Sequence, residues 1–119
     1  MNSFIKNRLK SIGYASKGAY LLITTEPSIQ VQTTIAILVC IAGFIFDISA
    51  TEWCIQLITI AVILGAEGLN TAIEKLSDFV HPDYHKVIGS VKDLAAGAVF
   101  LTAIIAIIIG LIIYIPKIF

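Results

Sequence analysis

Glu67, Asn70, Glu74 and Asp78 follow one another at steps of three, four and four residues. A helix turns about 100° per residue, so the four fall within roughly 80° of arc and form one polar stripe. The residues just before them, Trp53 to Leu64, are almost all apolar. The stripe therefore starts from inside a membrane, where carboxylates are costly and mark function. Glu26, Lys92 and Asp93 precede or open other apolar stretches and should lie at the same membrane level. Oxygen ligands without thiols suit Mg²⁺, which prefers one or two carboxylates plus substrate phosphates to a full protein cage. Glu26 and Glu74 suffice for that. Lys92 adds a point charge for a phosphate. Glu67 lies about 10 Å deeper along the helix than Glu74, placed to take a proton from a membrane-bound alcohol. Together these parts make a phosphoryl-transfer site, with nucleotide and metal at the surface and the base at the lipid level. Gly65 and Gly68 do not form a glycine-rich phosphate loop.

Blander readings fit some of the same residues. Glu67 and Glu74 also suit buried ion-pair partners or an intramembrane carboxylate relay in a small transporter or channel subunit. A relay needs polar groups running on to the far side. From Ile55 to Leu64 the helix offers only Gln56 and Thr59, which argues against one. Lys92 and Asp93 also suit an interfacial anchor and a helix-start charge, and Asp78 a solvated residue above the bilayer. His81 and His85 are four apart, but Pro82 interrupts any helix that would hold them to a metal.

Composition sets the frame. Of 119 residues, 58% are hydrophobic and 13% charged. A soluble domain averages about 45–50% apolar and about 25% charged. A chain this short and apolar cannot cover itself with polar surface, so it reads as a single membrane-embedded domain over 1–119. The basic residues fall into two clusters, Lys6 to Lys17 and Lys75 to Lys92, with Lys117 apart. Once these flank a membrane no basic face remains for nucleic acid. Cys40 and Cys54 lie in or beside apolar spans and read as small apolar fillers. The basic N-terminal stretch runs into Ser, Gly, Tyr and Lys, which is not the pattern of a cleavable signal.

The fold expected is all-α, with three transmembrane helices and an N-terminal amphipathic surface helix. Phe4, Ile5, Leu9, Ile12, Ala15, Ala19, Leu22 and Ile23 recur mostly at steps of three and four. That predicts a helix over about 3–24 lying in the interface. Thr25 or Glu26 is placed to cap the next helix, with Pro27 in its first turn. Spans are predicted over about 29–46, 52–80 and 91–115. The second starts near Thr51 or Trp53, an interfacial aromatic. Lys92 and Asp93 are expected in the first turn of the third, with Tyr114 as anchor and Pro116 as stop. Ala98, Thr102, Ala106 and Gly110 form a small-residue stripe for close helix approach. The loop near Asp47 carries no Lys or Arg. The positive-inside rule then places the N-terminus and the 81–90 loop in the cytoplasm and the C-terminus outside.

The run Glu67-Gly68-Leu69-Asn70-Thr71-Ala72-Ile73-Glu74-Lys75-Leu76-Ser77-Asp78 resembles the signature of the prokaryotic diacylglycerol kinase family, E-x-x-N-[ST]-A-I-E-x-x-x-D. Lys92-Asp93-Leu94-Ala95-Ala96-Gly97-Ala98-Val99 resembles its second motif, and Gly13-Tyr14, Lys17-Gly18 and Glu26 its N-terminal block. The resemblance implies a small kinase of the bacterial inner membrane that uses ATP and Mg²⁺ to phosphorylate diacylglycerol or undecaprenol. It implies a homotrimer with sites at subunit interfaces. It makes Glu67 the general base, Asn70 the residue that orients substrate and base, and Glu26 and Glu74 the metal ligands. It puts Tyr14, Lys17, Glu74, Asp78, Lys92 and Asp93 around the nucleotide. Gln30, Gln32 and Asn7 depart from the family pattern at N-terminal positions expected to meet the nucleotide. Ser49, Glu52, Trp53, Asn70-Thr71-Ala72 and Ala96-Gly97-Ala98 look more like the undecaprenol branch.

Overall fold

Asn2 accepts a hydrogen bond from the Ile5 amide and starts the first helix, α1, over Ser3–Thr25. A computed structural model describes residues 2–119. Three more helices follow: α2 over Pro27–Ile45, α3 over Ala50–Val80 and α4 over Lys86–Ile118. The described residues form helices and short connections only, and three of the helices are long and apolar enough to cross a membrane. The all-α expectation and its three spans hold.

Length decides what projects. The 19 residues of α2 rise about 28 Å, close to a hydrocarbon thickness of about 30 Å. The 31 residues of α3 and 33 of α4 rise about 46 and 50 Å, so both extend beyond it. α3 is the central helix, packed most extensively on α4 and more sparsely on α2. No residue of α1 is buried. The molecule measures 51 × 49 × 21 Å. One long dimension matches α4, and the other requires α1 to leave the bundle sideways, as a surface helix would. Leu22 is its inner foothold, lying against Gly68 of α3. Arg8 sits on the apolar side of α1 but lies over the Phe4 ring, 5.6 Å from its centroid.

Helix ends explain most of the boundaries. Glu26 is the N-cap of α2 and Pro27 its first residue, as expected, but the Glu26 carboxylate makes no capping bond. The α2–α3 corner is closed by two motifs. Ile48 N–H donates to the Gly43 carbonyl at 3.1 Å and Asp47 N–H to that of Phe44 at 3.3 Å. This is a Schellman closure, with Asp47 (φ 50°) in the left-handed position that glycine usually takes. Ser49 then caps α3, and Glu52 reaches back to the Ser49 amide at 2.9 Å, completing a capping box. α3 therefore begins at Ala50, two residues before the expected span.

Two expectations for α4 are corrected. It starts at Lys86, because the His85 ring nitrogen caps it by accepting from the Val87 amide at 3.1 Å. Lys92 and Asp93 thus lie beyond the first turn. Nor does Pro116 stop the helix, which runs on to Ile118. In the last turn the amide that proline lacks costs only one ladder bond. Tyr114 lies near the end of the same helix. Its hydroxyl turns inward to the Val39 carbonyl at 3.1 Å and to the Gln56 side chain.

Candidate active site

α3 carries the stripe as one rigid helix, so its polar residues keep the spacing of the sequence. Glu67, Asn70 and Thr71 are buried, while Glu74 and Asp78 emerge toward solvent further along. Glu67 is only 7% exposed. It lines a small groove with Pro27, Ser28, Val31 and Gln32 from the first turns of α2. Among the described residues, no hydrogen bond or salt bridge reaches its carboxylate. Within the chain, no ion pair accounts for this carboxylate.

Asn70 follows one turn later. Its amide nitrogen donates to Glu74 Oε1 at 3.3 Å. Its Oδ1 is enclosed and has no partner. An acceptor left bare in a closed site costs free energy unless something donates to it. Glu67, Asn70 and Glu74 thus form a line from the buried groove to the surface, with an open acceptor in the middle.

Two lysines meet the remaining carboxylates. Lys92 of α4 pairs with Asp78 of α3. Lys75 pairs with Glu26 at 3.2 Å, joining α3 to the α1–α2 junction. Glu26, Glu67, Glu74 and Asp78 outnumber the two lysines, a balance that favours a cation, whereas Asp93 is exposed on α4 and tied to none of them by a hydrogen bond or salt bridge among the described residues. No cluster of three or more metal-ligating side chains occurs among the described residues. With two carboxylates at most, a divalent cation here would need oxygens from outside the chain, such as phosphates, to complete its shell.

Other expected contributors stand apart within the single chain. Tyr14 is 74% exposed on the outer part of α1, and Lys17 is exposed beside it. No hydrogen bond or salt bridge among the described residues ties either to the stripe. Gln30, at one of the departing positions, donates from its side chain to the Thr24 carbonyl at 3.2 Å and fastens α1 to α2. The His81 and His85 rings lie 4.9 Å apart between centroids, tilted by 57° to one another. His81 Nδ1 lies 2.7 Å from the Asp83 carbonyl, and His85 Nδ1 is used by the α4 cap. Their Nδ1 atoms serve the turn. The sequence expectations do not include Lys75, which the structure pairs with Glu26. It is adjacent to Glu74 in sequence, which was the available signal.

A second, apolar groove of about 390 Å³ runs between α2 and α4 over α3. Gln32 borders both it and the Glu67 groove, and its far end reaches Gln56 and Tyr114. Ala106 and Gly110 of the small-residue stripe line it. Between Gln56 and Glu67 the only polar group on α3 is Thr59, whose hydroxyl donates back to the Ile55 carbonyl at 2.7 Å. No polar file crosses the span for a relay to use.

Comparison with known proteins agrees with this arrangement. Residues 13–114 match the family model described as prokaryotic diacylglycerol kinase. The chain is 39% identical over 108 residues to an undecaprenol kinase of Bacillus subtilis, covering 91% of this chain and 88% of that one. It is 33% identical over 105 residues to a diacylglycerol kinase of Synechocystis, covering 87% of this chain and 60% of the relative. Over 100 residues it is 26% identical to the diacylglycerol kinase of Escherichia coli, covering 84% and 82%. The chain belongs to the prokaryotic diacylglycerol kinase family.

Proposed function

We propose that this member of the prokaryotic diacylglycerol kinase family transfers the γ-phosphate of ATP, with Mg²⁺, to the hydroxyl of undecaprenol, with diacylglycerol as the second substrate to test. The observation that carries the reading is Glu67, a buried carboxylate without a partner that borders a groove. In the proposed reaction the lipid oxygen bonds to the γ-phosphorus as the bond to ADP breaks, and Glu67 takes the hydroxyl proton. Asn70 offers its open Oδ1 to orient the hydroxyl. Lys92 exchanges Asp78 for a phosphate oxygen. Tyr14, Lys17, Asp78 and Asp93 surround the nucleotide. Glu26 and Glu74 hold Mg²⁺, which when bound neutralises charge on the transferring phosphoryl group. The apolar groove continuing from Gln32 gives a hydrocarbon tail an apolar lining. The undecaprenol preference rests on the Bacillus subtilis relative and on the branch-like residues.

The stripe end faces the cytoplasm in this reading, where ATP is. The test is phosphate transfer from labelled ATP in inside-out vesicles supplied with undecaprenol or diacylglycerol. Labelled undecaprenyl phosphate is the expected product. Labelling of diacylglycerol alone overturns the substrate, and labelling of neither lipid overturns the reaction.

The working form proposed is a homotrimer with sites shared between chains. Two observations support it: one chain leaves Tyr14 and Lys17 away from the stripe, and three helices leave most apolar side chains exposed. Co-refolding inactive Glu26→Gln with inactive Glu67→Gln should restore activity, since some mixed interfaces carry both native groups. Activity no higher than either variant, in demonstrated mixed oligomers, removes this division of residues.

A further inference from the structure

Glu26 sits at the helix N-cap position, yet its carboxylate is not spent on capping. Thr25 Oγ1 touches it at 3.5 Å, and the strong contact is Lys75 Nζ at 3.2 Å. The Glu26 side chain is 20% exposed and that of Lys75 is 71% exposed. A carboxylate half-withdrawn from water is thus met by an ammonium on a long, mobile stem. The Lys75 ammonium thus lies against the Glu26 oxygen that a bound cation would take. The site's other lysine, Lys92, is held by Asp78.

We propose that Lys75 is a resident counter-ion, occupying the cation position at Glu26 in the metal-free protein and leaving it when a divalent cation loads. The proposal rests on Glu26 being a metal ligand. A monovalent ammonium and a divalent metal compete for the same carboxylate oxygen, because Mg²⁺ binds oxygen at about 2.0–2.1 Å with strict octahedral demands. Lys75 therefore weakens metal binding to the empty site. It also keeps Glu26 from standing as an uncompensated charge and holds the α1–α2 junction against α3. Its exposure makes release easy, since the ammonium passes straight into water. Divalent cation alone then binds poorly, and the metal enters best with the nucleotide, whose phosphates complete its shell.

The test measures Mn²⁺ binding to the purified protein by electron paramagnetic resonance, without nucleotide or lipid. Lys75→Met should bind Mn²⁺ about three- to fivefold more tightly than the parent, the size expected from removing an exposed ion pair. Lys75→Arg, which keeps the charge, should stay near the parent. Glu26→Gln should weaken binding, and adding Lys75→Met to it should bring no gain. If Lys75→Met is unchanged or weaker while Glu26→Gln weakens binding, Lys75 is not the competitor, although Glu26 remains a ligand. If Glu26→Gln leaves Mn²⁺ binding unchanged, the metal role of Glu26 falls and this proposal falls with it.

Discussion

The two ends of the bundle treat polar groups in opposite ways. At the α2–α3 corner nearly every polar group is used. The chain is closed by the Schellman bonds and the Ser49–Glu52 box, and Lys117 meets Glu52 at 3.1 Å. Tyr114 joins α4 to the Val39 carbonyl of α2 and to Gln56 of α3. The exception is Gln56 Nε2, which is enclosed and has no partner; exchanging the amide's nitrogen and oxygen lets it donate to the phenol, whose single proton then goes to Val39. At the stripe end, Glu67 has no partner, Asn70 Oδ1 is bare, and two ion pairs lie partly in solvent. Satisfied polar groups hold helices together. Unsatisfied ones are the mark of a site awaiting a ligand, where local stability is given up for function.

Replacing the stripe's buried charge is the sharpest way to break that contrast. Glu67→Gln keeps shape and removes a costly buried carboxylate. The protein should stay folded or become more stable, while turnover falls by about 10² or more. ATP binding should change little, because Glu67 lies at the lipid level. Turnover at saturating substrates and thermal unfolding in the same detergent check both halves. A folded variant with near-parental turnover removes Glu67 as the base. A variant that unfolds early removes the contrast, since Glu67 would then be holding structure.

How much of this was legible in the sequence depends on the range of the interaction. The stripe, the three spans and the surface helix follow from local spacing, and the structure keeps them. The α3 start was also written locally, in Ser49 and Glu52, but the pull of Trp53 as an interfacial anchor masked the capping box. The α4 start was not, because histidine is an unusual cap and Gly89 reads as loop. Tyr114 and Val39 are 75 residues apart, so nothing periodic announces their bond. Lys75 and Glu26 are also far apart in sequence, and their pairing needs the fold that brings α3 beside the α1–α2 junction. The departure at Gln30 likewise has a structural task that spacing does not announce, a bond to the Thr24 carbonyl across the α1–α2 junction.

The corner should give the mirror image of the Glu67 result, with a smaller energy. Gly43 lies in the last turns of α2, where the Trp53 ring crosses it. A methyl group added there would stand 2.8 Å from Trp53 Cζ2 and Cη2 and 3.2 Å from Ile48 Cδ1. Trp53 cannot retreat freely, because its ring also packs on Phe44 at 4.9 Å between centroids. Ile48, 4% exposed, is fixed by the Schellman closure. Alanine is a better helix former than glycine, by about 1 kcal/mol. Overpacking works the other way by about 1–3 kcal/mol, and with a rigid ring as the neighbour the clash should win. Gly43→Ala is therefore expected to lower thermal stability by about 1 kcal/mol while turnover per folded molecule holds. Shortening the opposing side chain separates clash from helix propensity. In the double variant Gly43→Ala with Trp53→Leu, the alanine should cost less than it does alone, giving a coupling energy of the same size. An alanine that leaves stability unchanged or raises it with Trp53 in place, or that costs as much opposite the leucine as opposite the tryptophan, means that the Trp53 ring is not the source of a clash and that the corner is looser than its bonds imply.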